Sequence, residues 1–284
     1  MSNARLAPDF LFEASWEVCN KVGGIHTVIS TKAQTVTRKF GDRYILIGPD
    51  LSHEGTNPEF EEDQTLLKAW RQAVYSEGLR IRIGRWKIKG EPLAVLVDFT
   101  SLIPRKDEIL TKLWESYHVD SLSGQWDYIE PVLFGYAAGT VIASYVKTFC
   151  SSTEKIVAHF HEWMSAAGGL YLRKYAPYVA TVFTTHATVM GRCIAGNRLP
   201  LYTDLTKFNA DELARQFNVT AKHSIEKTAA ANHDAFLTVS DITANECKFL
   251  LGREPDGITP NGFENDFVWT GEVYYAKRDE ARKA

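Results

Sequence analysis

Two histidines two positions apart, His159 and His161, close an apolar run and are followed by Glu162 and Trp163. A third, His186, closes a second apolar run and stands six residues before Arg192. A neutral imidazole can bond a sugar hydroxyl, and a guanidinium can hold a phosphate or sugar oxygen in a fork. Near the start of the chain, Lys21-Val22-Gly23-Gly24 lies between a strand-like and a helix-like segment. Two glycines let a ligand approach the backbone, free N–H groups at a helix start attract phosphate, and a lysine there adds a point charge. Each group also has a plainer reading. Gly-Gly after a strand is often just a turn, and such a His and Arg can be a satisfied side chain and a surface charge. His159 and His161 share a face, but a metal site needs a third ligand that the sequence does not place. Asp-x-Asp, which holds a divalent ion against a sugar nucleotide, does not occur, so no metal is expected. The Walker loop, the dinucleotide Gly-x-Gly-x-x-Gly and the Gly-x-Ser-x-Gly elbow do not occur either.

Alternating strands and helices must position these groups. Buried strands are expected at 10–14, 44–49, 93–98, 156–161, 179–184 and 235–239, and a half-exposed one at 79–83. Val22, Ile25, Ile29, Ala33, Val36 and Phe40 form one helical face. Residues 59–77 are expected to form an exposed helix, and Asp127 with Glu130 a capping box before a long apolar helix ending near Phe149. A further helix covers 166–175. The polar helices of 205–232 are expected to project from the body, and Ser240 to cap the helix after the last strand. The fold class is α/β, a Rossmann-like parallel sheet with helices on both faces. In such sheets ligands collect at the carboxyl ends of strands, where His161 and His186 sit. The pattern stops after Thr259-Pro260-Asn261-Gly262, and Ser2-Asn3-Ala4 is given no structural role.

Lys and Arg number 32 against 35 Asp and Glu, a net charge of -3, which gives no broad attraction to nucleic acid or anionic membrane. No apolar run is read as approaching the roughly 20 residues that span a bilayer. Cys19, Cys150, Cys193 and Cys247 lie far apart, as expected of reduced thiols in a cytoplasmic protein.

Together these segments resemble the eukaryotic-type glycogen synthases from about Phe12 to Gly262. The resemblance is carried by Phe12-Glu13 with Lys21-Val22-Gly23-Gly24-Ile25, Leu46-Ile47-Gly48-Pro49, His159-Phe160-His161-Glu162-Trp163 and Thr184-Thr185-His186-Ala187-Thr188 with Gly191-Arg192. Thr238-Val239-Ser240 with Ile242-Thr243, and Pro255-Asp256-Gly257-Ile258 running into Pro260-Asn261-Gly262, complete it. It implies the GT-B arrangement of two Rossmann-like domains, with residues 1–262 the amino-terminal, acceptor-side domain and 263–284 a crossover toward a second, donor domain. It implies a retaining glucosyltransferase, without cofactor or metal, passing glucose from UDP-glucose to glycogen or a maltodextrin. Lys21, Gly23 and Gly24 would approach the diphosphate, and His186 and Arg192 would contact the nucleotide sugar. His161 and Glu162 would line or support the cleft, and Asn261 would stand at the crossover. The family's second domain carries further diphosphate and sugar ligands not found in these residues, so the chain is expected to be inactive alone. After Gly262, Phe263-Glu264-Asn265-Asp266 departs from the family. The segment 205–232 is a candidate for mediating a homo-oligomer, and an ADP-glucose-dependent transferase or a glucan-binding module without catalysis are the competing expectations.

Overall fold

The computed structural model describes residues 7–52, 55–262 and 269–283. Ser2-Asn3-Ala4 and Phe263-Glu264-Asn265-Asp266 lie outside them. Strand β1 (Phe10–Ala14) is buried on both faces, as a central parallel strand must be. Its one charge, Glu13, therefore has to find partners inside the protein. Helix α1 (Gly24–Phe40) buries Ile25, Ile29 and Ala33 at helical spacing, with Val36 and Phe40 half-buried beside them. Val22, expected on that stripe, precedes the helix and is exposed, so the stripe begins at Ile25. Strand β2 (Tyr44–Pro49) returns beside β1 in parallel.

The single exposed helix expected over 59–77 is instead strand β3 (Phe60–Glu62) and helix α2 (Lys68–Ser76). Between them Asp63 Oδ1 accepts from the Thr65 amide at 2.8 Å and its hydroxyl at 2.6 Å, a side-chain turn that competes with helix. Helix α2 is not an exposed one, since it buries Trp70 and Val74. Strand β4 (Arg80–Trp86) runs antiparallel to both β3 and β5 (Leu93–Asp98). The expected all-parallel sheet is thus mixed at this edge. The link from β4 to β5 is a short turn, and a parallel return needs a crossover of about a dozen residues or more.

Helices α3 (Lys106–Tyr117) and α4 (Trp126–Phe149) carry the chain across to β6 (Ile156–His161). The expected capping box does not form. Gln125 is the cap residue, and the Asp127 carboxylate pairs with Lys222 instead. At 24 residues α4 has the length and composition of a membrane span, contrary to the sequence expectation, but 72% of its most apolar window is buried within the fold. It packs on α5 (Glu162–Tyr175) so closely that a Cβ on Gly139 would stand 2.5 Å from the Gly168 carbonyl oxygen.

Strand β7 (Ala180–Thr185) is followed by α6 (Val189–Gly196), α7 (Leu201–Asp204), α8 (Ala210–Gln216) and α9 (Thr220–Asn232). These helices do not project. Small side chains let α9 bury Ala221, Ile225, Ala229 and Ala230, and a separate core forms from Met190, Ile194, Leu201, Leu205 and Leu250. Strand β8 (Ala235–Thr238), helix α10 (Asp241–Glu246) and β9 (Gly257–Ile258) complete the body. Ser240 caps α10 as expected, accepting from the Thr243 amide at 3.1 Å. Helix α11 (Gly271–Ala281) buries none of its residues.

Among the described residues the sheet runs β3-β4-β5-β2-β1-β6-β7-β8-β9 and is parallel from β5 to β9. One face packs Phe12, Ile45, Phe160 and Phe183 with residues of α4 and α5. On the other, α1 packs over Tyr44, Leu46, Ala94 and Leu96. In register with that second layer, β1, β6 and β7 present Glu13, His159, His161 and Thr184. A polar strip thus continues an apolar face.

Candidate active site

From β1 the chain steps to β2, passes to the edge at β3 and returns through β4 to β5, then crosses to β6 on the other side of β1 and continues outward to β9. This reversal between β1 and β6 opens a crevice at their carboxyl ends, where open α/β sheets bind ligands. The loops entering it follow β1, β6 and β7.

The first is the loop before α1. Two of the amides at this helix start, expected to be free, are taken. Glu17 Oε2 accepts from the Gly23 amide at 2.7 Å and from the His26 amide at 3.0 Å. A carboxylate of the chain itself sits where an anion is favoured by the unpaired amides and the helix dipole. A Cβ on Gly23 would lie 3.0 Å from Glu17 Oε1, so the glycine permits the approach. Lys21 is exposed and points to no partner among the described residues.

The second and third are tied together. Glu162 is buried and has a left-handed backbone, φ 63°, at the turn from β6 into α5. A side-chain-bearing residue adopts that conformation at a cost of about 1–3 kcal/mol, a strain often found at functional sites. Its Oε1 accepts from the amides of His186 at 2.8 Å and Ala187 at 3.3 Å. Glu226 from α9 accepts from the Thr185 hydroxyl at 2.7 Å and the Val189 amide at 2.9 Å. Glu246 from α10 accepts from the Thr188 hydroxyl at 2.8 Å. Three buried carboxylates thus grip the segment from Thr185 to Val189 and aim His186 and Arg192 into the crevice. Burial, and then the charge of Glu162, push Glu226 up to about 8. Burial also raises Glu162, against the pull of Arg192 at 3.9 Å.

Beneath α1 the polar strip is a connected network. Glu13 Oε1 receives Lys32 Nζ and His161 Nε2, each at 2.5 Å, and Oε2 receives the Tyr44 hydroxyl. His161 Nδ1 stands 2.9 Å from His186 Nε2, and His159 Nε2 2.7 Å from Thr184 Oγ1. Burial opposes the Glu13 charge, but Lys32 and the bond from His161 outweigh it and hold the carboxyl well below its usual range. Burial lowers His159 and His161, and burial with the neighbouring His161 lowers His186 to about 3, so the imidazoles are neutral. The third ligand missing from the sequence argument for a metal is Glu13, grouped here with His159 and His161. Its Oε1 is already paired with the Lys32 ammonium.

Two adjoining cavities open on these groups. One, of about 460 Å³, is lined by Glu17, Gly23, Gly24, Glu162, Arg192 and Asn261 among others. The other, of about 320 Å³, is lined by Lys32, His159, His161, Thr184 and again Asn261. His186 lines both. The crevice thus gathers every expected site residue except Lys21, which lines neither cavity.

Residues 13–269 match the family model described as glycogen synthase. The chain belongs to the glycogen synthase family. It is 38% identical over 256 residues to the glycogen (starch) synthase of Neurospora crassa, a match covering 89% of this chain and 36% of that protein. Over 257 residues it is 36% identical to the human liver glycogen (starch) synthase, again covering 89% of this chain and 36% of the relative. The chain therefore spans little more than a third of the length of these relatives. Among solved structures, sucrose-phosphate synthase from Thermosynechococcus elongatus shares the fold, with a TM-score of 0.52 at 11% identity over 95% of this chain and 52% of that one.

Within this glycogen synthase fold a larger cavity of about 800 Å³ opens beside α2 and β4. Two of its guanidiniums are committed, Arg71 to Glu62 and Arg82 to Glu62 and Asp50. The sequence reading missed Glu17, Lys32, Tyr44, Glu226 and Glu246, and gave Glu13 no role. Glu13 was detectable as a lone charge in the strand Phe-Leu-Phe-Glu-Ala. The others come from separate elements that only the tertiary fold brings to the site.

Proposed function

We propose that this chain supplies one wall of the active site of a retaining glucosyltransferase that uses UDP-glucose and extends an α-1,4-glucan such as glycogen. The observation that carries the proposal is convergence at the switch point. Gly23, Gly24, Glu162, His186, Arg192 and Asn261 line one crevice in a chain of the glycogen synthase family. In this reading the diphosphate approaches the start of α1, where it competes with Glu17 for the Gly23 and His26 amides. Arg192, 64% exposed, reaches phosphate or sugar oxygens, and His186 orients the glucosyl unit. Catalysis rests on positioning and on positive charge around the leaving diphosphate, without a cofactor or metal. Lys21, exposed in the same loop, would add positive charge near the diphosphate. The remaining donor contacts come from outside these residues, in a cytoplasmic enzyme whose second domain begins beyond the 1–262 unit.

Calorimetric titration with UDP-glucose, UDP and ADP-glucose tests this. Binding of UDP-glucose, weakened at least fivefold by Arg192→Ala and by His186→Ala, is the expected result. Equal or tighter binding of ADP-glucose would replace the donor assignment. Indifference to both substitutions would remove the crevice from the reaction. Incorporation of glucose into glycogen by the chain alone should be negligible, and robust turnover would show that these residues suffice.

A further inference from the structure

The network under α1 ends on the histidine that faces the crevice, and it has a direction. We propose that Glu13, acting through His161, is a positioning residue that fixes His186 as its Nε2–H tautomer and leaves the Nδ1 lone pair facing the crevice as an acceptor for a sugar hydroxyl. The assignment of the acceptor's partner rests on the transferase reading above, whereas the tautomer rests on the network alone.

Glu13 is a carboxylate, with Lys32 and Tyr44 donating to it, so it can only accept. His161 Nε2, 2.5 Å from Glu13 Oε1, must carry a hydrogen. His161 is 2% exposed, and Lys32 already balances the Glu13 charge, so the imidazole is held neutral and its Nδ1 bears a lone pair. The 2.9 Å contact between His161 Nδ1 and His186 Nε2 needs one proton, and only His186 can supply it. A neutral His186 then has no proton left for Nδ1. That atom bonds to no group among the described residues, while its ring lines both cavities. The Glu162 carboxylate on the His186 amide holds the backbone of the same residue, so ring and main chain are both fixed by consecutive residues at the end of β6. Had His161 been the charged partner of Glu13, the polarity would reverse and His186 would offer a donor to the crevice. A hydroxyl can satisfy either, so the tautomer decides which sugar hydroxyl orientation is bound, as second-sphere bonds decide it for metal-bound histidines.

The test is long-range 1H–15N correlation of the whole chain labelled at histidine, with His186 assigned from the spectrum of His186→Ala. The expected pattern at pH 7.5 is a protonated Nε2 and an unprotonated Nδ1 on His186. A protonated Nδ1, an imidazolium, or a stoichiometric shift of the His159 and His161 signals on adding Zn²⁺ would overturn the proposal. Glu13→Gln, and the charge-balanced Glu13→Gln/Lys32→Gln, should convert His186 to a mixture of tautomers. They should also weaken UDP-glucose about tenfold relative to UDP, the worth of one hydrogen bond. Retention of a pure Nε2–H tautomer in both variants would free His186 from Glu13. Failure of the wild-type chain to bind UDP-glucose would instead strike the transferase reading and leave the tautomer measurement standing.

Discussion

Glu17 shows how a single side chain can hold a place in an anion site. Its carboxylate takes two amides at the start of α1 and leaves the dipole end satisfied without ligand. A diphosphate using those amides has to displace it. Glu17→Ala should therefore act in two directions. Loss of the amide partners should cost about 1 kcal/mol of stability, read as a lower thermal midpoint. Freeing the amides should tighten pyrophosphate or UDP binding severalfold by calorimetry. Weaker binding in the variant would mean that Glu17 shapes the loop for the ligand rather than competing with it. At the same scale, the left-handed backbone of Glu162 accompanies a carboxylate that meets the His186 and Ala187 amides together.

Among the elements, the α4–α5 crossing and the loop after β7 carry the most specific demands. At the crossing, Gly139 and Gly168 allow backbone contact that no side chain fits. Gly139→Ala should cost about 1–3 kcal/mol by overpacking and lower the urea midpoint without changing the fold's far-ultraviolet signature. In the loop, Glu226 is raised to about 8 by burial and by Glu162. A carboxyl with its folded pKa above its unfolded one binds more protons when folded. Its contribution is complete below about 4.5 and is lost as pH rises through about 8. The thermal midpoint should thus fall between about pH 6.5 and 8 and level off above that, and Glu226→Gln should flatten that decline. An unchanged slope in the variant would place the titration elsewhere.

Across the whole molecule the buried histidines set the acid limit. Burial lowers His159, His161 and His223, and brings His186 to about 3 and His233 to about 4. A histidine with its folded pKa below the unfolded one near 6.5 contributes stability that is complete above 6.5 and is lost as pH falls toward the folded value. Each such group adds up to about 1.4 kcal/mol per pH unit. Glu226 opposes them between about 4.5 and 8, and Glu162, also raised by burial, opposes them above its ordinary value, but five groups outweigh two, and at lower pH Glu13 adds to the loss. Denaturant unfolding from pH 7 to 4.5 should therefore show stability falling steeply with acid. A flat profile would mean that these imidazoles are solvated and charged.

The sequence by itself determined the central strands, because runs such as Tyr-Ile-Leu-Ile and Ile-Val-Ala-His-Phe-His suit only a strand covered on both faces. It also placed His161 and His186 at strand ends, where the alternation with helices leaves ligand sites. Its errors fell where local signals compete. A side-chain turn at Asp63 broke a helical pattern, a short link forced β4 antiparallel, and Asp127 preferred a distant lysine to its own helix end. Tertiary structure alone decided that Glu17 fills the amides thought free, that Glu226 and Glu246 hold the His186 loop, and that Glu13, Lys32 and Tyr44 stand behind His161. Partners lie up to 148 residues apart in the chain, and a buried charge chooses its partner by who shares its volume after folding, which periodicity along the chain does not encode.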